Sequence, residues 1–195
     1  MTSLESLLHR ISADLARSDV DFALIGGLAV SVRTEPRFTR DADFAVAVTS
    51  DAEAEALIRN LRARGYEVEA LVEQDAVGRL ATVRLAVAAE AERSPVVDLL
   101  FASSGIEREI ATEAEPIELL PGLELKVACI EHLIALKVSL RDDVRRPQDV
   151  VDLRALLHVA TTAQVSRARD ALTLITRRGY HRGRELVPQL EALLA

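Results

Sequence analysis

The sequence of 195 residues is poor in aromatic and sulfur-containing residues: it has one cysteine, one methionine and no tryptophan, and aromatic residues make up 3%. A single cysteine, Cys129, excludes a disulfide within the chain and a zinc site built from several cysteines, and it fits a reducing cytoplasm. Four scattered histidines without HExxH spacing give no support to a zinc hydrolase. The few rings and the net charge of −7 argue against a general nucleic-acid binder, which uses stacking rings and basic stripes.

Long apolar runs are also absent from the sequence. None reaches the roughly 18 to 20 residues that a membrane-spanning helix needs. Residues 1–5 lack the basic and apolar regions of a secretory signal, so we expect a cytoplasmic protein without a membrane anchor. With 49% hydrophobic and 28% charged residues, the sequence is typical of a globular protein with one core and room for a small helical appendage.

Three aspartates stand next to or inside apolar segments. Asp41 and Asp43 are two apart at the start of one apolar run, and Asp98 interrupts another. Because side chains alternate along a strand, we expect Asp41 and Asp43 on the same face, and an isolated charge at Asp98 would be costly. On adjacent strands the three carboxylates would form a cup for two metal ions, and hard carboxylate oxygens favour Mg²⁺. The sequence therefore predicts a metal site at these aspartates.

Two glycines and two basic residues complete the candidate site. Gly26 and Gly27 let the backbone approach a phosphate closely, and the helix predicted over 28–32 directs its N-terminus at that anion. Arg40 either contacts phosphate or offsets the charge of the aspartate pair. Lys137 is a cation on an otherwise apolar helix stripe, which favours a phosphate contact; the alternative is a lysine that snorkels at the edge of the stripe.

Hydrophobic periodicity and turn residues predict an α+β fold. Before the turn at 121–122 we expect helices over 4–16, 50–64 and 104–111, and strands at 22–25, 41–48, 66–72, 79–87, around Asp98 and, as the last edge strand, at 117–120. Beyond the turn we expect helices over 130–140, 147–157, 163–177 and 184–194. We place a domain boundary at this turn, which gives a catalytic core over 1–122 and a helical domain over 123–195.

Charge is distributed unevenly along the chain. Residues 1–125 contain 12 Lys+Arg and 23 Asp+Glu, a net of −11, whereas residues 126–195 contain 12 and 8, a net of +4. The helical part is therefore expected to be a cationic wall that faces the acidic cup. Within it, Asp149 and Asp152 are three apart on one helical turn and are placed to orient Lys137 or Arg145. Six arginines between 167 and 184 form either a solvated face or a local contact with RNA.

The order of these features resembles the polymerase-beta-like nucleotidyltransferase superfamily, whose signature is a Gly-Gly pair, an Asp-x-Asp and a later lone Asp. The segment TRDADF over 39–44 is most similar to AbiEii-type toxins and related minimal nucleotidyltransferases. LIALK over 133–137 and RRPQDVVDL over 145–153 are similar to their helical-domain motif. The resemblance implies a nucleotidyltransferase-like mixed sheet flanked by helices, and it favours Asp149 as the partner of Lys137. Gln148 departs from it, since relatives often carry a basic residue there.

The resemblance also implies an activity. Asp41 and Asp43 would hold Mg²⁺, with Mn²⁺ as the alternative ion, and Asp98 would complete the site and help to deprotonate an acceptor hydroxyl. Gly26 and Gly27 would cradle a nucleoside triphosphate, whose nucleoside monophosphate moves to the acceptor. The expected acceptor is an RNA such as tRNA or a partner protein, in a toxin–antitoxin or phage-defence pair with a cognate antitoxin. The alternatives are an aminoglycoside-type enzyme that modifies a small molecule and an inactive interaction or antitoxin module.

Overall fold

The computed structural model describes residues 3–37, 39–87, 95–141 and 147–194. Within these ranges the chain forms eight helices and seven strands. In chain order they are α1 (Ser3–Ala16), β1 (Phe22–Ile25), α2 (Gly26–Arg33), β2 (Ala42–Val46), α3 (Asp51–Ala63), β3 (Tyr66–Gln74), β4 (Arg79–Val87), β5 (Val97–Leu100), α4 (Glu107–Glu113), β6 (Glu115–Leu120), β7 (Leu123–Val127), α5 (Ile130–Ser139), α6 (Pro147–Val159), α7 (Thr162–Arg177) and α8 (Leu186–Leu194). None of these described helices is long and apolar enough to cross a membrane.

The described strands belong to one mixed sheet, in the order β3-β4-β5-β2-β1-β7-β6. Strand β2 runs antiparallel to β1 and parallel to β5, and β1 runs parallel to β7. The central strands are short and mostly apolar, and Leu24, Phe44 and Leu99, which are in register on one face, are fully buried. The predicted α+β fold, with a mixed sheet flanked by helices and a helical C-terminal part, is confirmed.

The helices of the N-terminal part follow from local sequence. Helix α1 buries four apolar residues on one stripe, as their spacing predicts: Leu7, Leu8, Ile11 and Leu15. Helix α3 begins after Ser50, whose side chain accepts a hydrogen bond from the backbone N–H of Glu53. The carboxylate of Glu53 accepts hydrogen bonds from the backbone and hydroxyl of Thr49 instead of reaching Ser50, so the Ser-x-x-Glu sequence over 50–53 forms half of a capping box.

The prediction that residues 117–120 form the last strand was wrong. Strand β6 is an edge strand, but β7 follows it and lies between β6 and β1. The turn at Pro121 and Gly122 therefore closes a β-hairpin, and the alternating burial along β7 explains why LELKV pairs as a strand. The sheet extends five residues past the boundary predicted at 122. The division of the chain into two domains stays a proposal.

Helix α5 joins the helical part to the sheet region. Eight of its ten residues are buried, and it packs against α6, α7 and α8 as well as against α2. Because α2 directly follows β1, these contacts bring α5 and α6 close to the strands that carry the predicted aspartates. Arg145 of the predicted helical motif lies outside the described residues.

Candidate active site

Strand register places four residues in one row across the sheet. Asp43 of β2 is paired with Ile25 of β1 on one side and with Asp98 of β5 on the other, and Asp98 is paired with Arg84 of β4. Residues in register on adjacent strands point to the same face, so the carboxylates of Asp43 and Asp98 are neighbours. Asp41 comes two residues before Asp43, and Gly26 follows Ile25 directly.

This row opens into a cavity of about 360 Å³ between the sheet and helices α2, α5 and α6. The cavity collects predicted site residues from distant parts of the sequence, and its lining includes Gly26, Gly27, Asp41, Asp43, Asp98, Lys137 and Asp149. Arg40 is exposed and is not among the described residues that line the cavity. The catalytic and binding roles of all these residues stay predictions.

The glycine pair forms the first turn of α2, two residues before the predicted start of that helix. Gly26 has φ +65°, and a Cβ atom there would lie 1.9 Å from Oδ2 of Asp43. A Cβ atom on Gly27 would lie 2.6 Å from Nη2 of Arg37. Gly26 therefore requires glycine, because its φ is positive and its backbone approaches Asp43 where the helix N-terminus meets the cavity. A side chain at Gly27 would require only the end of the Arg37 side chain to shift.

Lys137 binds two carboxylates at the helical side of the cavity. Its Nζ lies 2.6 Å from Oδ1 of Asp149 and 2.7 Å from Oδ2 of Asp152, and Arg37 also donates to Oδ2 of Asp152 at 2.8 Å. We call Lys137, Asp149, Asp152 and Arg37 the lysine cluster. The predicted contact between Lys137 and Asp149 is present, and the side chain of Asp152 is more deeply buried than that of Asp149. Burial opposes ionisation of Asp152, but hydrogen bonds from Lys137 and Arg37 outweigh it and lower its pKa.

Asp98 has a partner that the sequence analysis missed. Arg84 donates from Nε to Oδ1 of Asp98 at 2.9 Å and from Nη2 to Oδ2 at 2.7 Å, a bidentate pair. The sequence does contain a signal for Arg84: it is a charged residue between the apolar residues Val83 and Leu85 of β4, which marks it as a candidate site residue. Its position opposite Asp98 depends on the pairing of β4 with β5, which local sequence does not report.

The donor set of the cavity suits a hard divalent cation, because three carboxylates line one space beside a helix N-terminus. Among the residues that the structure describes, however, no group of three His, Cys, Asp or Glu side chains is arranged to hold a metal ion. Both oxygens of Asp98 accept hydrogen bonds from Arg84. The three aspartates therefore have the chemistry of a metal site, and in this structure the guanidinium group of Arg84 contacts one of them, Asp98.

Most of the arginines predicted as an RNA face have partners within the protein. Arg167 pairs with Glu131, Arg169 with Glu191 and Arg178 with Glu109, and Arg184 donates to backbone carbonyls of residues 139 and 141. Arg177 and Arg182 are exposed. The RNA contact predicted for this region therefore rests on two of the six arginines.

Cys129 behaves as a packed residue at the start of α5. Its thiol donates a hydrogen bond to the carbonyl of Glu113 at 3.0 Å. Burial raises the pKa of the thiol to about 11, so the thiolate is scarce at neutral pH. This environment does not favour a nucleophilic role for Cys129.

Comparisons with known proteins agree with the geometry. Residues 7–194 match the family described as nucleotidyl transferase AbiEii toxin, type IV toxin–antitoxin system. No curated protein is significantly similar in sequence. Among solved structures, an antigenic nucleotidyltransferase-like protein from Paracoccidioides brasiliensis is similar, with a TM-score of 0.54 and 17% identity over 97% of this chain and 93% of that chain.

A second similar structure is the lincosamide antibiotic adenylyltransferase LnuA, solved with lincomycin bound. Its TM-score is 0.50, with 16% identity over 80% of this chain and 98% of that chain. At such identities the likeness shows the fold alone, whereas the family match covers nearly the whole sequence. The chain is a nucleotidyltransferase, and it belongs to the AbiEii family of nucleotidyl transferase toxins of type IV toxin–antitoxin systems.

Proposed function

We propose that the cavity binds a nucleoside triphosphate with Mg²⁺, or alternatively Mn²⁺, and transfers its nucleoside monophosphate to an acceptor hydroxyl. One observation carries this proposal: the Asp43 and Asp98 carboxylates lie side by side, next to the glycine-rich start of α2 and across from the lysine cluster. A triphosphate needs positive charge and backbone N–H groups around its oxygens, together with carboxylates that hold divalent ions. The lining of this cavity provides these groups.

Each residue has a distinct role in this proposal. Asp41, Asp43 and Asp98 would hold the divalent ions, which would supply charge that activates the attacking oxygen and stabilises the leaving pyrophosphate. Gly26 and Gly27 present backbone N–H groups to the phosphates at the helix N-terminus. An oxygen of Asp98 accepts the proton of the acceptor hydroxyl.

Lys137 supplies a positive charge from the helical side. Asp149 and Asp152 hold its ammonium group in place, so the charge is positioned before the substrate arrives. Lys137 and Asp149 both line the cavity, whereas Asp152 supports them from a buried position. The lysine cluster therefore holds a positive charge next to the proposed phosphate site.

We propose an RNA such as tRNA as the acceptor, with a partner protein as the alternative, in a cytoplasmic toxin that is paired with a cognate antitoxin. Membership of a toxin family supports this choice of role. An RNA contact would be local, because the net charge of the chain is −7 and only Arg177 and Arg182 remain of the predicted face. Each basic contact with a phosphate makes RNA binding weaker at high salt.

A small-molecule acceptor is the second candidate, and the charge of the cavity favours it. Four aspartates line the cavity against three basic residues, Arg37, Arg84 and Lys137, so its lining carries a negative excess that suits a cationic acceptor. LnuA, which shares the fold, is an adenylyltransferase for lincosamide antibiotics.

The test is to incubate the purified protein with each α-labelled nucleoside triphosphate and Mg²⁺, and to offer total tRNA, a candidate partner protein or cationic drugs. We expect transfer of label to RNA, and the Asp43→Asn variant should transfer far less. If the label appears on a drug or on a protein instead, that molecule is the acceptor and the RNA proposal is wrong. Triphosphate binding without transfer to any acceptor would instead support an inactive interaction module.

The double variant Arg177→Ala/Arg182→Ala then tests the RNA contact. For an RNA acceptor, transfer should fall and its dependence on salt should become shallower, because fewer counterions are released on binding. Arg169→Ala is a matched control on α7, since Arg169 pairs with Glu191. Unchanged transfer to RNA and an unchanged salt slope would show that these arginines do not contact the acceptor.

A further inference from the structure

Arg84 is a cation of the cavity that directly contacts one of the predicted metal ligands, Asp98. It stands opposite Asp98 in the β4–β5 register, and Asp98 stands opposite Asp43. The side chain of Arg84 is 43% exposed and that of Asp98 is 14% exposed, and both line the cavity. The arginine therefore sits at the open side of a mostly buried carboxylate.

The bidentate pair competes with any divalent ion at Asp98. Both carboxylate oxygens of Asp98 accept hydrogen bonds from the guanidinium group. A carboxylate oxygen has further lone pairs, but a divalent cation bound to Asp98 would lie within a few ångströms of the guanidinium charge and be repelled by it. The guanidinium has to leave Asp98 before the three aspartates can share an ion.

The surroundings of Arg84 show why it stays on Asp98 in this structure. The hydrogen bonds with Asp98 raise the pKa of Arg84 above its ordinary value, and the charges of Asp98, Asp41 and Asp43 act in the same direction. Three carboxylates close together repel one another, and one guanidinium relieves part of that repulsion. Because the side chain is partly exposed, it has space to move away when another cation replaces it.

We infer that Arg84 is a positioning residue that acts through Asp98: it neutralises Asp98 in the nucleotide-free protein, and the divalent ion must displace it to complete the site. The inference rests on the proposed function. It implies that Arg84 lowers the affinity of the protein for a divalent ion in the absence of nucleotide.

The experiment measures Mn²⁺ binding to the nucleotide-free protein by calorimetry, for the wild type and for Arg84→Gln. We expect Arg84→Gln to bind Mn²⁺ more tightly by roughly three- to tenfold, the range for losing one partly exposed competing ion pair. It should also reach half-maximal turnover at a lower Mn²⁺ concentration. Arg84→Lys, which keeps the charge but loses the bidentate geometry, should give an intermediate affinity and provides the test if Arg84→Gln does not fold.

The matched control is Arg79→Gln. Arg79 is on the same strand and pairs with Asp51 at 3.0 Å, and it is not among the described residues that line the cavity. Its Mn²⁺ affinity should equal that of the wild type. Unchanged or weaker Mn²⁺ binding in both Arg84 variants would overturn the inference.

A further variant separates this inference from the proposed function. If Asp43→Asn abolishes Mn²⁺ binding and the Arg84 variants bind like the wild type, the metal site stands and only the role of Arg84 is wrong. If none of the proteins binds Mn²⁺, with or without triphosphate, the proposed function fails and the inference fails with it.

Discussion

The two sides of the cavity hold similar charged groups in different ways. The sheet side consists of Asp41, Asp43, Asp98 and Arg84, and strand register brings the last three together. The helical side is the lysine cluster, in which helix packing buries the side chain of Asp152 to 1% exposure and that of Lys137 to 12%. On the sheet side, the side chain of Asp98 is 14% exposed, but that of its partner Arg84 is 43% exposed. We therefore expect the sheet side to exchange partners and the helical side to be part of the folded core.

This comparison corrects the expectation of a cationic wall. The C-terminal part carries a net charge of +4, yet among the described residues its charged contribution to the cavity lining is one lysine and one aspartate. Three of its arginines pair with glutamates away from the cavity: Arg167, Arg169 and Arg178. The net charge of a segment therefore does not determine the charge at its functional surface.

The largest expected effect is the loss of activity when the sheet side loses a carboxylate. Asp43→Asn should lower turnover by roughly a hundred- to a thousandfold, the effect of losing several kcal/mol of charge stabilisation in the transition state. Its melting temperature should stay the same or rise, because repulsion between carboxylates is relieved. Asp41→Asn should behave similarly. Steady-state kinetics and thermal unfolding in metal-free buffer measure both effects.

Asp21→Asn is the control for this prediction, because Asp21 is an exposed carboxylate just before β1 that pairs with Lys126 on the surface. Asp21→Asn should change neither the turnover nor the melting temperature. A large drop in the melting temperature of Asp43→Asn would show that the sheet side is structural and would remove the contrast between the two sides.

Lys137→Ala should damage both folding and binding, in contrast to Asp43→Asn. Removing the ammonium leaves the buried carboxylates of Asp149 and Asp152 without their shared cation, which costs about 2–4 kcal/mol in the free energy of unfolding. Triphosphate affinity should fall by roughly 1–3 kcal/mol as well, because a charged hydrogen bond is lost. Urea unfolding and nucleotide titration measure the two effects.

Lys126→Ala provides the control, since Lys126 makes a solvent-exposed pair with Asp21 at 3.4 Å. It should change stability by less than about 1 kcal/mol. If Lys137→Ala leaves both stability and nucleotide affinity unchanged, the helical side is neither structural nor a phosphate contact.

Gly26→Ala tests the place where α2 touches the sheet side. The new methyl group would overlap Oδ2 of Asp43, and φ +65° adds backbone strain of about 1–2 kcal/mol. Gly122→Ala has a similar strain at φ +79° in the β6–β7 turn, but its methyl group meets no described atom within 4 Å. We therefore expect Gly26→Ala to lose activity and more stability than Gly122→Ala, as measured by turnover and urea unfolding. Equal effects of the two substitutions would show that only backbone strain matters.

The smallest expected effect is on the pH dependence of stability, and it involves His132, on the face of α5 remote from the cavity. Burial lowers the pKa of His132 below its ordinary value of 6.5, and this outweighs the opposing charges of Glu113, Glu131 and Glu109. The unfolded chain therefore takes up the proton first as the pH falls below 6.5, so stability declines between pH 7 and 5.

His132→Gln should make this decline in the free energy of unfolding shallower. His158→Gln is the matched control, because His158 is exposed on α6. Identical pH profiles for the wild type and His132→Gln would contradict the prediction. Activity at neutral pH should be the same in all three proteins.

Local sequence predicted the elements that depend on a short repeat. The stripe of α1 and the apolar run of β1 were found at nearly their observed bounds. The glycine pair, Asp41, Asp43 and Asp98 were found because polar and glycine residues stand out at the ends of apolar strands. Strand β7 was missed because its five residues follow a Pro-Gly turn, which marks a hairpin and a linker equally well.

The sequence by itself determined the family, the fold class and most of the groups around the cavity, because periodicity and motif order are local properties that a single chain displays. Only the tertiary structure decided which charges meet. Arg84 reaches Asp98 through strand register, and Lys137 reaches Asp152 through the packing of α5 against α6. Pairing and packing join residues that are distant in sequence, and a shift of one residue in β4 would turn Arg84 to the opposite face of the sheet.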